Sequence, residues 1–166
     1  MRAAPDQRAL SGDESTGWSL DYQAQWVRPY TGMWDGSNET KDYFEQVTMA
    51  LRQAYPPPRR PVLLVPVGDV LFEIDRRMKN GQFPGFTDVN QFYHDGIHFN
   101  NVGALVVGTT FYATLFRADP RGSDYSGYDT VSQPWDRDIT DAQADVIQDA
   151  VWDVVSTHPL AGVAGR

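Results

Sequence analysis

The 166-residue sequence contains no cysteine. Disulfide bonds, thiolate metal sites and a cysteine nucleophile are therefore excluded. Basic residues are few as well, since 14 Lys and Arg stand against 22 Asp and Glu, for a formal net charge of −8. Proteins that bind nucleic acids generally present a basic face, so we expect no nucleic-acid partner.

Long apolar runs are also missing. No stretch reaches the roughly 20 apolar residues that a membrane-spanning helix needs, and the segment from Met1 to Leu10 lacks the apolar centre of a signal peptide. We therefore expect a soluble chain without a membrane span. The compartment stays open, and a periplasmic or secreted location is compatible with the sequence if the chain is part of a longer protein.

The composition, with 41% hydrophobic and 22% charged residues, is that of an ordinary globular protein. A chain of this length can form one domain with a core of its own. We expect a flexible, polar lead-in over residues 1–17, a single domain over residues 18–157, and a tail over residues 158–166 in which His158 is solvated.

The first half of the chain predicts two helices and one strand. Ser37 or Asn38 can cap a helix that continues to about Tyr55, before a run of three prolines. The apolar stripe of this helix consists of Phe44, Val47, Leu51 and Tyr55. The continuous apolar run from Val62 to Val67 is typical of a strand buried on both faces of a parallel sheet. A second helix begins at Gly68 and ends at Asn80. Its inward positions are expected to be Val70, Leu71, Ile74 and Met78. The aromatic segment 18–34 lacks a clean period, and we expect it to be irregular or extended.

The second half predicts two more helices around a long loop. Residues 101–116 are almost entirely apolar and predict a buried helix. Residues 118–138 form an acidic loop, and loops of this length are often functional. Thr140 and Gln143 then form a capping box at the start of a helix that ends near Val155.

The sequence Asp95-Gly96-Ile97-His98 is the strongest site signal. In a turn that leads into a helix, residues three positions apart project to the same side. Asp95 can then accept the Nδ1 proton of His98 and leave Nε2 free to act as a general base. An ordinary surface pair is the simpler alternative, and the neighbouring His94 is a rival candidate for the base.

The stretch DGIHFNNVGALVVGTTFYATLF resembles the last conserved block of the SGNH (GDSL-type) hydrolases, in which Asp-x-x-His is followed by Asn, Gly and a C-terminal helix. The resemblance extends back through VPVGDVLFEIDRRMKNGQFPGFTDVNQFYHDGIHFN and forward through QPWDRDITDAQADVIQDAVWDVV, over about residues 26–155. It implies an α/β fold, namely part of a three-layer, flavodoxin-like architecture dominated by helices, with an incomplete sheet. It also implies hydrolysis of acyl esters, acylated carbohydrates or lipids, with His98 as base and Asp95 as its orienting partner.

The sequence departs from this family at the nucleophile. The family's Gly-Asp-Ser block follows the first strand, whereas Gly12-Asp13-Glu14-Ser15 has an inserted glutamate and no preceding strand. Ser15 is nevertheless the candidate nucleophile. Asn38, in a segment similar to the family's Gly-x-Asn-Asp block, is the candidate oxyanion donor, although it is also a candidate helix cap.

Three functions remain open at this point. The first is a serine ester hydrolase whose nucleophile lies outside this chain. The second is a truncated or non-catalytic binding and assembly module. The third is a shortened hydrolase that uses Ser15 or another local serine. We expect no cofactor and no metal. Since only one strand is predicted, its unpaired edges lead us to expect a homo-oligomer. The alternative is a mostly helical monomer in which residues 18–34 fold back over the strand.

Overall fold

The computed structural model describes residues 21–55 and 62–163. The helices in this part of the chain are α1 (Tyr22–Trp26), α2 (Lys41–Ala54), α3 (Val67–Lys79), α4 (Asn101–Phe116) and α5 (Asp141–Thr157). Two short 3₁₀ turns, Ser37–Glu39 and Val89–Phe92, precede α2 and the segment that leads to α4.

The predicted α/β fold is wrong, because residues 21–55 and 62–163 contain helices and no strand. The run predicted as a buried strand is extended only as far as Pro66, and Val67 already begins α3. Its residues from Val62 to Val65 are half-exposed. An apolar run shows that a segment can be buried, but a strand also requires a neighbouring strand with a regular ladder of hydrogen bonds, and the described residues supply none.

The extended segment 62–66 is attached to the domain by single hydrogen bonds. The N–H of Leu64 donates to the carbonyl of Leu160 at 3.0 Å. The Arg52 guanidinium donates to the carbonyls of Val62 and Leu160, both at 2.7 Å. These bonds connect the end of α2 to the C-terminal segment across residues 62–64 and replace the regular ladder that a sheet would provide.

Helices α3, α4 and α5 enclose the core, and all three were predicted. Their central residues are fully buried: Val70, Ile74, Val102, Val106, Ile147 and Val151. The four predicted inward positions of α3, including Leu71 and Met78, are confirmed as buried. The predicted capping box of Thr140 and Gln143 is present at the start of α5.

Helix α4 has the predicted bounds but is not fully buried. Its apolar residues surround the whole helix, and α3 and α5 cover only part of it. Near its C-terminal end Phe111, Leu115 and Phe116 are 45%, 58% and 72% exposed. None of the helices in the described ranges is long and apolar enough to cross a membrane.

Helix α2 packs less tightly than the prediction implied. Neither Ser37 nor Asn38 caps it, because both lie in the preceding 3₁₀ turn and Thr40 occupies the cap position. The predicted apolar stripe of Phe44, Val47, Leu51 and Tyr55 is largely exposed. Helix α2 instead turns Glu45, Thr48 and Arg52 inward, so periodicity identified its apolar face but not the face that other elements cover.

A buried polar cluster connects α1, α2 and α3 to the C-terminal segment. Asp69 accepts hydrogen bonds from Lys41 at 2.8 Å and from the Trp26 indole at 3.2 Å. His158, which we expected to be solvated, is only 6% exposed, and its Nε2 lies 3.4 Å from carboxylate oxygens of both Glu45 and Asp69. The predicted tail is therefore part of the core as far as Val163.

The aromatic segment is partly helical, contrary to the prediction of irregular or extended structure. Tyr22 and Trp26 lie on α1 with their rings stacked at 6.1 Å, and Trp26 is buried. Trp34, in the loop that follows, is 80% exposed. Trp18 and the lead-in lie outside the described residues.

Candidate functional site

Residues 93–99 form a small closed loop before α4. Tyr93 and Phe99 pair in an antiparallel bridge, and the N–H of His94 donates to the carbonyl of His98 at 3.0 Å. Gly96 lies at the tip with φ of 84°, a left-handed conformation that glycine adopts without strain. The backbone therefore brings His94 and His98 together at the base of a tight turn.

The side chains of this loop alternate between the core and solvent. The rings of Tyr93 and Phe99 lie 4.5 Å apart and pack against the core. His94 and His98 are the next opposed pair, and both are exposed. Because successive side chains in extended backbone point to opposite faces, the two histidines share the outer face of the loop.

The predicted hydrogen bond between Asp95 and His98 is present. The Oδ2 of Asp95 lies 2.6 Å from Nδ1 of His98, while its Oδ1 accepts the backbone N–H groups of Ile97 and His98 at 2.9 and 2.7 Å. These backbone donors, followed by the His98 ring, hold the pKa of Asp95 well below its usual range. Since the ionised carboxylate can only accept, Nδ1 donates and Nε2 of the neutral ring carries the lone pair.

His98 is accessible from solvent. Its side chain is 70% exposed, and that of Asp95 is 43% exposed. Among the described residues, no hydroxyl group makes a hydrogen bond with the His98 ring. The N–H groups of Ile97 and His98 are already used by Asp95, so they are not free to bind an oxyanion.

Trp135 forms one wall of the site, although no sequence pattern had identified it. Its ring stacks on His94 with centroids 4.3 Å apart and planes 14° apart. Asn101 holds the loop in place: its side-chain amide donates to the carbonyl of Arg137 at 2.7 Å and accepts the N–H of Arg137 at 3.0 Å. The length of loop 118–138 suggested a function, but only the tertiary contacts show where the loop lies.

The other predicted site residues do not join this site. Ser15 lies outside the described residues. Asn38 lies in the 3₁₀ turn before α2, and no contact within the described ranges connects it to Asp95 or His98. His94, the rival candidate for the base, differs from these two because it lies beside the pair. The structure therefore brings together His94, Asp95, His98 and Trp135.

Comparisons with known proteins leave the family open. No family model matches the chain, and neither the curated proteins nor the solved structures gave a match to it. The resemblance to SGNH hydrolases rests on the sequence block around Asp95 and His98 and stays a prediction.

Proposed function

We propose that the Asp95–His98 pair acts as a general base in the hydrolysis of acyl esters, including acylated carbohydrates. The observation that supports this proposal is the 2.6 Å contact between Asp95 Oδ2 and His98 Nδ1 on an exposed ring. This contact orients the imidazole and sets its tautomer, so that Nε2 can accept a proton. The sequence block that resembles the last block of SGNH hydrolases supports the same chemistry.

In the proposed reaction, His98 Nε2 removes a proton from a hydroxyl group as its oxygen attacks the ester carbonyl carbon. The π bond of the carbonyl opens, and the resulting oxyanion re-forms the carbonyl as the bond to the leaving alkoxide breaks. The imidazolium then returns its proton to the alkoxide, which leaves as an alcohol. Asp95 keeps its charge throughout and stabilises the transient imidazolium.

The attacking hydroxyl group belongs to a water molecule or to a serine side chain. Ser15, or a serine outside this chain, would form an acyl intermediate that water then hydrolyses through the same histidine. Neither a nucleophile nor oxyanion donors are assembled around His98 in the described residues. We therefore expect slow turnover, because general-base catalysis alone contributes about 10²–10⁴-fold.

Hydrolysis of p-nitrophenyl acetate tests this proposal. We expect His98→Gln to reduce the rate to that of the protein-free buffer, and Asp95→Asn to reduce it by about tenfold or more, since general-base assistance is lost or misoriented. Asp138→Asn is the matched control, because it removes the same charge from an exposed position. A full rate in His98→Gln would overturn the proposal, and loss in His94→Gln alone would make His94 the base.

Ser15→Ala separates the two forms of the reaction. A loss of turnover with the fold intact would assign the nucleophile to Ser15 in this chain. An unchanged rate would leave water as the nucleophile. Circular dichroism of each variant shows that the fold survives.

A second proposed function, assembly with another copy of the chain, is favoured by one uncovered surface. The exposed stripe of α2 adjoins the extended segment 62–66, because Phe44 and Leu64 line the same cavity of about 270 Å³. The N–H and C=O groups of Leu63 make no hydrogen bond within the described ranges. A second copy suits this surface because an extended edge can pair with itself across a two-fold axis while both α2 stripes become buried.

Analytical ultracentrifugation at micromolar concentration tests the assembly. We expect a dimer for the unmodified chain and a monomer for Leu51→Glu, which places a charge in the exposed stripe. Gln53→Glu adds the same charge to an exposed, polar position of α2 and should remain dimeric. A cooperative folded monomer of the unmodified chain would show that this face needs no partner.

A further inference from the structure

We infer that His94, Asp95 and His98 form a binding site for a divalent transition-metal ion of the Zn²⁺ class. The binding is independent of the proposed ester hydrolysis. Its consequence, that metal inhibits the reaction, rests on that proposed function. No metal site was expected from the sequence, where His94 and His98 were interpreted only as candidate bases.

The backbone places the two histidines in position for a shared ligand. Tyr93 and Phe99 are paired in the antiparallel bridge, so His94 and His98 are the next opposed pair. Directly opposed residues of antiparallel backbone have Cβ atoms about 4.5–5.5 Å apart on the same face. The hydrogen bond from His94 to the His98 carbonyl closes the loop and keeps this spacing.

The donor atoms are close to the spacing that a metal ion requires. His94, Asp95 and His98 each offer a ligand atom, and these atoms lie within 4.8 Å of one another. Zn–N distances of about 2.0–2.1 Å in a tetrahedral site place ligand atoms roughly 3.3 Å apart. The difference is at most about 1.5 Å, which rotation of exposed side chains can supply. The histidine rings have room to converge, since their centroids lie 5.7 Å apart.

Neighbouring groups prepare the site for binding. The Asp95 carboxylate already lies against the His98 ring, at 2.6 Å from Nδ1, so these two ligands need little rearrangement to reach a common ion. Stacking on Trp135 limits the rotation of His94, so less side-chain freedom is lost when it binds. The exposure of all three residues leaves room for water in the remaining coordination positions.

The donor set selects the class of metal. Two imidazole nitrogens and one carboxylate oxygen suit Zn²⁺, Cu²⁺ or Ni²⁺, whereas Ca²⁺ and Mg²⁺ prefer sites made of oxygen ligands. A neutral imidazole has one lone pair, which a metal ion and a hydroxyl proton cannot share. A bound metal ion therefore removes His98 from general-base chemistry.

Isothermal titration calorimetry with zinc chloride tests the site. We expect one ion per chain and no binding of calcium chloride under the same conditions. His94→Ala and His98→Ala should each weaken Zn²⁺ binding by at least about tenfold, and Asp95→Asn by about 10–100-fold. Asp138→Asn serves as the control for loss of one surface charge. Unchanged Zn²⁺ affinity in His94→Ala would overturn the inference.

The third histidine of the chain provides a further check. His158 is only 6% exposed, so its replacement should leave Zn²⁺ binding unchanged in a folded variant. A loss of binding in folded His158→Gln would place the ion elsewhere and contradict the assignment.

The inhibitory consequence has its own measurement. If the chain hydrolyses p-nitrophenyl acetate through His98, Zn²⁺ should suppress the rate of the unmodified protein, and His94→Ala should need at least about tenfold more Zn²⁺ for the same fractional suppression. Calorimetry requires no ester hydrolysis, so an inactive protein that binds Zn²⁺ would refute only the proposed function. An active protein that binds no Zn²⁺ would refute only the metal site.

Discussion

Asp95 and Asp69 both lie beside a histidine, but their hydrogen-bond partners lie at very different sequence separations. Asp95 binds groups of Ile97 and His98, two and three residues away. Asp69 binds Trp26 and Lys41, which are 43 and 28 residues away. The first pair is therefore set by a local turn, whereas the second requires the folded domain.

The buried Asp69 predicts loss of stability at acid pH. Burial raises the pKa of Asp69, but the nearby His158 ring and the hydrogen bonds from Lys41 and Trp26 lower it by more, so its net pKa lies below the ordinary value. A carboxyl with a lowered folded pKa stabilises the protein above its unfolded pKa of about 3.9, and this contribution is lost as pH falls through the folded pKa. As the pH falls below about 5, the unmodified protein should therefore lose stability more steeply than Asp69→Asn.

Urea unfolding at neutral pH and at about one pH unit below the unfolded pKa measures this difference. At neutral pH, Asp69→Asn should cost on the order of 1–3 kcal/mol, because hydrogen bonds to a charged group are lost. Asp138→Asn, at an exposed position, should keep the pH dependence of the unmodified protein. Parallel pH profiles for Asp69→Asn and the unmodified protein would contradict the role of Asp69.

At the scale of elements, α4 packs against the loop of the candidate site at a glycine, Gly103. A Cβ added at Gly103 would lie 2.9 Å from the backbone carbonyl oxygen of Phe92 and 2.4 Å from the Phe99 ring. These atoms belong to the segment that closes the candidate site. Glycine at this position allows the helix to approach that segment closely.

We expect Gly103→Ala to destabilise the protein although alanine favours helix. Helix propensity alone would stabilise it by about 1 kcal/mol, but the added methyl group overlaps a backbone oxygen that cannot move without opening the loop. Overpacking of this kind costs about 1–3 kcal/mol. Thermal unfolding should show a lower Tm.

Gly108→Ala is the matched control in the same helix. Its added Cβ would meet the hydroxyl end of Tyr128, a side chain that is 37% exposed and can move aside. We expect Gly108→Ala to change stability little or to raise it. A stabilising Gly103→Ala would mean that the helix and the loop are not packed as described.

At the scale of the whole molecule, α2 contributes no apolar side chain to the buried core of the described residues. Its stripe is exposed, and it is held mainly by Lys41 in the polar cluster and by the two carbonyl contacts of Arg52. Helices α3, α4 and α5 share the buried core. Segments with few buried apolar contacts open more readily than the core.

Amide hydrogen exchange followed by mass spectrometry should therefore show faster exchange in α2 than in α3 and α5. Raising the protein concentration should slow exchange in α2 selectively if a second copy covers its stripe. Protection of α2 equal to that of α5 in dilute solution would show that α2 is as stable as the core.

The sequence alone determined the features that depend on residues near each other in the chain. Helices α3 and α5 follow from apolar periodicity and from caps such as Thr140 with Gln143, and α4 follows from its long apolar run. The hydrogen bond between Asp95 and His98 was predictable for the same reason, since one turn contains both residues and the glycine between them.

Only the tertiary structure decided the features that depend on a distant partner. The run from Val62 to Pro66 has the composition of a strand but no strand beside it among the described residues, so the predicted sheet was wrong. His158 is buried because Glu45 and Asp69 converge on it, and Trp135 reaches His94 because Asn101 holds a distant loop. Residue type and periodicity describe what a segment can bury, whereas packing determines which neighbour it meets.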